Sequence, residues 1–141
     1  MDNEQLLNNT YQNIQMVLET LPEIRNITTD CDLKAALSAQ EESYQSHLSI
    51  VRQRMDESDY PVQELNDFQK NYSEWMTKLK AMTDNSTSHL AEMCIQGYTM
   101  GMIKSIQDWH KYCDASKETL TFAGQISNLH QKSIESLKKY L

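Results

Sequence analysis

Three glycines and two prolines are all that this 141-residue chain contains. Tight hairpins, Gly-rich phosphate loops and collagen-like repeats need more of both residues, so these architectures are excluded. A chain with so few breaks reads as long helices. Long hydrophobic runs are also missing, and no stretch approaches the roughly 18 apolar residues that a membrane span requires. Basic charge is in the minority, with 13 Lys and Arg against 20 Asp and Glu and a net charge of −7. That balance disfavours a phosphate backbone or an anionic membrane surface as partner, because both reward clustered cations. Cys31, Cys94 and Cys113 form no CxxC pair and are expected as free thiols in a reducing compartment. The start, Met1-Asp2-Asn3-Glu4-Gln5, is acidic and polar, unlike the basic and then apolar opening of a signal peptide. A cytoplasmic location is therefore expected.

What is present suits a single all-α domain over residues 1–141. Hydrophobic residues make up 39%, enough for one core, while the mean hydropathy of −0.67 is that of a water-soluble chain. Apolar residues recur at helical spacing in five blocks, predicting helices at 4–25, 32–57, 62–82, 86–112 and 115–140. The first carries Leu7, Tyr11, Ile14, Leu18 and Leu21, and Pro22 is expected to kink or end it. Asp30 or Asp32 suits the cap of the second, whose seam is Leu33, Leu37, Gln40, Tyr44, His47, Val51 and Met55. Pro61 opens the third, striped by Leu65, Phe68, Tyr72, Trp75, Leu79 and Met82. The fourth is fed by Leu90, Met93, Gly97, Met100, Ile103, Ile106 and Trp109. Asp114 or Ser116 caps the fifth, with Leu120, Ala123, Ile126, His130, Ile134, Leu137 and Leu141 along one side. Short connections favour antiparallel neighbours in an up-and-down bundle. A weak internal repeat at an offset of 85 to 86 pairs Leu37-Ser38-Ala39-Gln40 with Phe122-Ala123-Gly124-Gln125, and Ile14-Gln15-Met16-Val17 with Met100-Gly101-Met102-Ile103. It suggests helices one and two as a distant copy of helices four and five.

The run His89-Leu90-Ala91-Glu92-Met93-Cys94-Ile95-Gln96-Gly97-Tyr98-Thr99-Met100-Gly101-Met102-Ile103 resembles a signature of small uncharacterised ferritin-like helical-bundle proteins of anaerobic Firmicutes. The ending Ile134 to Leu141 and the Leu37…Gln40…Tyr44 pattern are similar to the same group. The resemblance implies a ferritin-like antiparallel bundle and no established activity. Ferritin-like enzymes hold two irons with a Glu from each of two helices and a Glu-x-x-His pair from each of the others. Here no Glu is followed by His three residues later, and helix one presents no inward carboxylate. The nearest approximations are Tyr44…His47 and the reversed His89…Glu92, so the implied fold is expected without the di-iron site.

Gln40 and His47 in helix two and His130 in helix five interrupt otherwise apolar faces, and burying them is costly without hydrogen bonds. A satisfied polar layer, or positions at the seam edge, with Tyr11, Tyr44 or Tyr72 as partners is the first reading. The second is a residual metal site from His47, His89, Glu92 and His130, with Gln40 as a polar neighbour, or a small-ligand pocket at Gln40 and His47. His110 and Cys113 share a helical face as half a zinc site would, without a second pair. Met93, Met100 and Met102, near Cys94 and His89, suit a soft ion in principle, but the eight methionines form no dense repeat and read as adaptable packing. No nucleophile elbow or Gly-rich loop is present, so no catalytic residue is assigned.

The function expected is that of a non-enzymatic structural or interaction protein that self-associates through a helical face. Its motivation is an aromatic supply (Tyr60, Phe68, Trp75, Trp109) beyond the needs of one seam. The alternative is a degenerate or unconventional metal-binding bundle, related to redox or storage, and neither nucleic acid nor membrane is an expected partner. All three glycines fall inside predicted helices, where each costs about 1 kcal/mol relative to Ala. Gly97 and Gly101 share one face, which is expected to be a close helix contact or the seat of an aromatic ring. Gly97→Leu should therefore destabilise by several kcal/mol through overpacking; an unchanged melting temperature would place that face in solvent.

Overall fold

A helix rich in polar residues occupies the centre of the molecule. In the computed structural model, which describes residues 1–63 and 69–141 and the side chains of all but 64–71, α1 runs Asp2–Ile27. From Leu6 to Val17 every α1 residue except Gln15 is buried, including Asn8, Asn9, Thr10, Gln12 and Asn13. Of the expected seam, Leu7, Tyr11, Ile14 and Leu21 are buried with them and Leu18 is half-buried. Amphipathic patterning fits one face of a helix to one core, and here neighbours cover every face. Of the two effects expected of Pro22, a kink or an end, the end does not occur, and α1 continues to Ile27. Proline forfeits one backbone hydrogen bond, but the buried Leu21 and Ile24 on either side anchor the turn.

The remaining helices are α2 (Cys31–Glu57), α3 (Gln69–Ala81), α4 (Thr87–Lys111) and α5 (Lys117–Leu137), closed by a 3₁₀ turn at Lys138–Tyr140. Among the described residues the protein has five α-helices and no strand. Three starts are capped: Asp30 accepts from the Leu33 N–H, Ser86 from His89 and Ser116 from Thr119. Of the pairs Asp30 or Asp32 and Asp114 or Ser116, Asp30 and Ser116 are the caps. Helix α2 stops where Asp59 turns to a φ of 55° and the Tyr60 N–H returns 2.9 Å to the Met55 carbonyl.

The expected helix at 62–82 is corrected at its start. Residues 60–63 are not helical, because α1 holds the backbone there in another shape. Asn8 Oδ1 accepts the Gln63 N–H at 2.8 Å, while Gln12 Nε2 donates to the Gln63 carbonyl at 3.0 Å. Leu65 and Phe68 of the expected stripe lie outside the described residues. Trp75 and Leu79 are buried as expected, and Tyr72 and Met82 are half-buried.

Contacts along the helices give their directions. Arg25 meets Glu41 at 2.7 Å and Tyr11 meets Arg52 at 3.2 Å, so α1 and α2 are antiparallel. Helix α4 pairs with α5 through Ser105–Ser127 at 2.7 Å and Trp109 to the Leu120 carbonyl at 3.0 Å, again antiparallel. It opposes α1 too: Asn13 reaches the Gly101 carbonyl, and Asp2 and Asn3 receive the N–H groups of Asp114 and Ser116. Helices α2 and α4 therefore point the same way, and the segment holding α3 returns the chain between them. At an offset of 85, Asp2–Ile27 falls on α4 and Cys31–Glu57 overlies α5, so the element boundaries follow the repeat.

The predicted stripe of α4 holds only at its start. Leu90, Met93 and Gly97 are buried, but the buried line then passes to Tyr98, Gly101, Ser105 and Asp108. Ile103, Ile106 and Trp109 are left 50%, 44% and 41% exposed. The buried line follows close contact with α1 and α5, which suits small residues better than Ile. Ser105 is hydrogen-bonded to α5, and Asp108 accepts from Lys104 at 2.6 Å. At the other end of the core, Leu141 is exposed rather than part of the α5 seam, since α5 stops at Leu137.

The glycines divide by what surrounds them. A Cβ on Gly97 would lie 2.9 Å from the Trp75 ring, so the expected aromatic seat is found. On Gly124 a Cβ would meet nothing within 4 Å, and its backbone is ordinary helix. Gly124→Ala is accordingly expected to raise stability by about 1 kcal/mol, measured by thermal melting in dilute solution. A lowered melting temperature would mean that something in the monomer occupies that space.

Candidate functional site

Polar residues from four helices meet at mid-bundle around His130, which has no exposed surface. Asn13 is the hinge of the arrangement. Its amide nitrogen donates to the Gly101 carbonyl at 2.9 Å, which leaves its oxygen facing His130 Nε2 at 2.8 Å. The imidazole must then carry its proton on Nε2, so Nδ1 accepts from the Tyr44 hydroxyl, also at 2.8 Å. Ser133 stands 3.3 Å from the same hydroxyl and donates to the Leu129 carbonyl at 2.8 Å. One turn away, Tyr98 donates to Gln40 Oε1 at 2.6 Å, and Gln40 Nε2 donates to Ser136 Oγ at 2.8 Å. The Tyr44, Tyr98 and His130 rings meet pairwise with centroids 5.5 to 5.9 Å apart, joining the two halves.

Gly101 makes this geometry possible. A Cβ there would sit 2.9 Å from both Asn13 Oδ1 and His130 Nε2, in the space that their hydrogen bond occupies. A side chain at 101 would push α4 away from the pair, and the Asn13 bond to its carbonyl would go with it. Of the two glycines expected at a close contact, one seats an aromatic ring and the other admits a hydrogen bond.

Burial fixes the protonation of every member. It drives the His130 pKa down to about 3, because an imidazolium there would be stripped of water with no anion beside it. Burial raises Tyr44 and Tyr98 above the ordinary tyrosine range, the Tyr44–Ser133 bond opposing it only in part, and it raises the Cys94 thiol to about 12. At neutral pH the whole layer is uncharged. Its donors and acceptors are matched to one another, so the chemistry on view is that of a structural network.

Of the sequence candidates, Gln40 and His130 belong to this layer. His47 is half-buried two turns from Gln40, its Nδ1 at 2.7 Å from the Ser43 carbonyl and its ring beside Phe122. Gln40 is engaged at both ends of its amide, so the two do not frame a pocket. His89 and Glu92 pair with each other at 3.1 Å in an accessible contact near the start of α4. His110 turns back to the Ile106 carbonyl, and Cys113 is exposed. Among the described residues no group of three or more His, Cys, Asp or Glu is arranged to hold a metal ion. A cavity of about 20 Å³ between Trp75, Gly97 and Tyr98 has room for about one water.

Of the three tyrosines expected as partners, Tyr44 meets His130, whereas the buried Tyr11 accepts from Arg52 and the half-buried Tyr72 donates to Glu19. Asn13, Tyr98, Ser133 and Ser136 were missed. Asn13 lies off the apolar stripe of α1, and the sequence signal for it was indirect: a glycine, Gly101, kept in a helix at a cost. Among the described residues no helix is long and apolar enough to cross a membrane. Comparison with family models, curated proteins and solved structures finds no match to this chain.

The buried imidazole sets a pH dependence. The unfolded chain takes up a proton at His130 near 6.5, whereas the folded protein resists until about 3. The contribution of the neutral ring is therefore whole above 6.5 and declines as pH falls through that window, by up to about 1.4 kcal/mol per unit. Urea denaturation of the wild type and His130→Gln between these limits should give a shallower slope for the variant. Equal slopes would mean that His130 is not the group responsible.

Proposed function

We propose that this chain is a ferritin-like antiparallel bundle acting in the cytoplasm as a non-enzymatic structural or interaction protein that self-associates through a helical face. Three features support the fold reading. Helix α1 opposes both α2 and α4, α5 opposes α4, and one connection containing α3 joins the co-directed α2 and α4. A single long crossover of this kind is the topology of ferritin-like bundles.

The observation that carries the functional reading is the row Ile103, Ile106 and Trp109 on α4, three large apolar side chains left 41% to 50% exposed. Scattered exposed apolar residues are ordinary, whereas a contiguous patch marks an interaction surface. The polar layer supports the same view, since Asn13, Gln40, Tyr44, Tyr98 and His130 are engaged within the protein. Light scattering on untagged protein at rising concentration tests the reading. A mass climbing above the 16.4 kDa of one chain is expected, and a strict monomer at all concentrations would reject it. Metal analysis of the same sample adds a second check: metal at one ion per chain would favour the metal-binding alternative.

A further inference from the structure

The self-association proposed above still needs a surface and a geometry. The outer side of α5 supplies both. Lys117, Thr121, Gly124, Asn128 and Gln131 line an open groove of about 630 Å³ between α4 and α5, and Glu135 continues the same stripe. Their spacing of four, three, four, three and four keeps them on one side of α5, as a polar stripe. None of the six is buried in the monomer, although the opposite seam of α5 already serves the core. At its centre stands Gly124, a helix-weakening residue for which the monomer provides no packing reason. Ile106 and Trp109 form the α4 side of the groove.

From this arrangement we infer that the α4–α5 face is the contact between two copies of the chain, with the two α5 helices antiparallel about a two-fold axis between Gly124 and Asn128. The inference rests on the self-association reading and gives it a register. Charge complementarity selects a second copy as the occupant. In that register Lys117 of each copy meets Glu135 of the other, Thr121 meets Gln131, and Gly124 meets Asn128. Each end gains an opposite-charge pair, and the centre sets the smallest residue against a medium one. Glu135 is bonded to Lys138 at 2.7 Å through one carboxylate oxygen, and its other oxygen remains available to a second cation.

The overall charge argues for the same face. Two chains of net charge −7 repel through most of their surfaces. The groove residues include no acid and one cation, Lys117. Approach here brings each Glu135 opposite a lysine, while Glu118, which flanks Lys117, is offset by Arg54 of its own copy at 3.5 Å. The isologous pairing is closed, so it yields a dimer and no filament.

Charge reversal tests the register on the full chain. Sedimentation equilibrium would compare the wild type with Lys117→Glu, Glu135→Lys, the double reversal and Gly124→Arg, with circular dichroism to check that each is folded. A reversible wild-type dimer is expected, weakened about tenfold by either single reversal, since each places two like-charge pairs in the dimer. The double reversal should recover most of the lost affinity, which a merely structural effect of either residue would not do. Gly124→Arg, at a position open in the monomer, should remain folded and monomeric. Single reversals that weaken the dimer without recovery in the double overturn this register. A dimer indifferent to Gly124→Arg and to both reversals places association on another face and overturns this inference alone. A wild type that stays monomeric up to about 1 mM overturns the self-association reading itself.

Discussion

An imidazole can sit uncharged and dry among packed helices only when both of its nitrogens are met, and at His130 each partner ties in another helix. Nε2 is satisfied by Asn13 of α1, and Asn13 is oriented by the Gly101 carbonyl of α4. Nδ1 is satisfied by Tyr44 of α2. Four helices are thus fixed around one ring by three hydrogen bonds of 2.8 to 2.9 Å. Apolar packing alone tolerates sliding by part of a turn at modest cost, whereas a buried polar atom that loses its partner is left fully unsatisfied. The leucine and isoleucine positions supply most of the driving force for collapse, and the His130 layer selects among the collapsed arrangements.

Seen from that layer, the other polar contacts extend one device along α1. Asn8 and Gln12, one turn apart, take both hydrogen-bonding groups of the Gln63 peptide. Asp2 and Asn3 take backbone N–H groups of the α4–α5 connection. Helix α1 reads the backbone of other segments with its side chains, much as a neighbouring strand would in a sheet. This is why polar residues occur on sides of α1 that a surface helix would turn to water.

The legible part of the fold was the part written in apolar spacing. Leu7, Tyr11, Ile14 and Leu21, the α2 seam from Leu33 to Met55 apart from the half-buried His47, and Trp75 with Leu79 are buried where their periodicity put them. Asp30 and Ser116 cap the helices that follow them, as short side-chain acceptors do. The second half of α4 was misread because Ile103, Ile106 and Trp109 continue an apolar stripe while the real contact runs through Gly101, Ser105 and Asp108. Hydrophobicity cannot identify a contact made by small and hydrogen-bonded residues. Of the central layer, Gln40, Tyr44 and His130 stood out as polar groups on apolar seams. Asn13, Ser133 and Ser136 did not, since they interrupt no apolar seam and the partners that engage them across the bundle lie 88 to 117 residues away.

The polarity of α1 also bears on how the chain is made. Asn13 lies 117 residues before His130, so during synthesis α1 must wait for nearly the whole chain before its last partner arrives. A helix destined to be surrounded, if built of leucine on every face, would be an aggregation hazard throughout that interval. With Asn8, Asn9, Thr10, Gln12 and Asn13 among its buried residues, this one is compatible with water while it waits. The side chains that later grip Gln63, Gly101 and His130 can be hydrated until then. A central helix that is polar enough to be left alone lets the fold postpone its longest-range contact until the end.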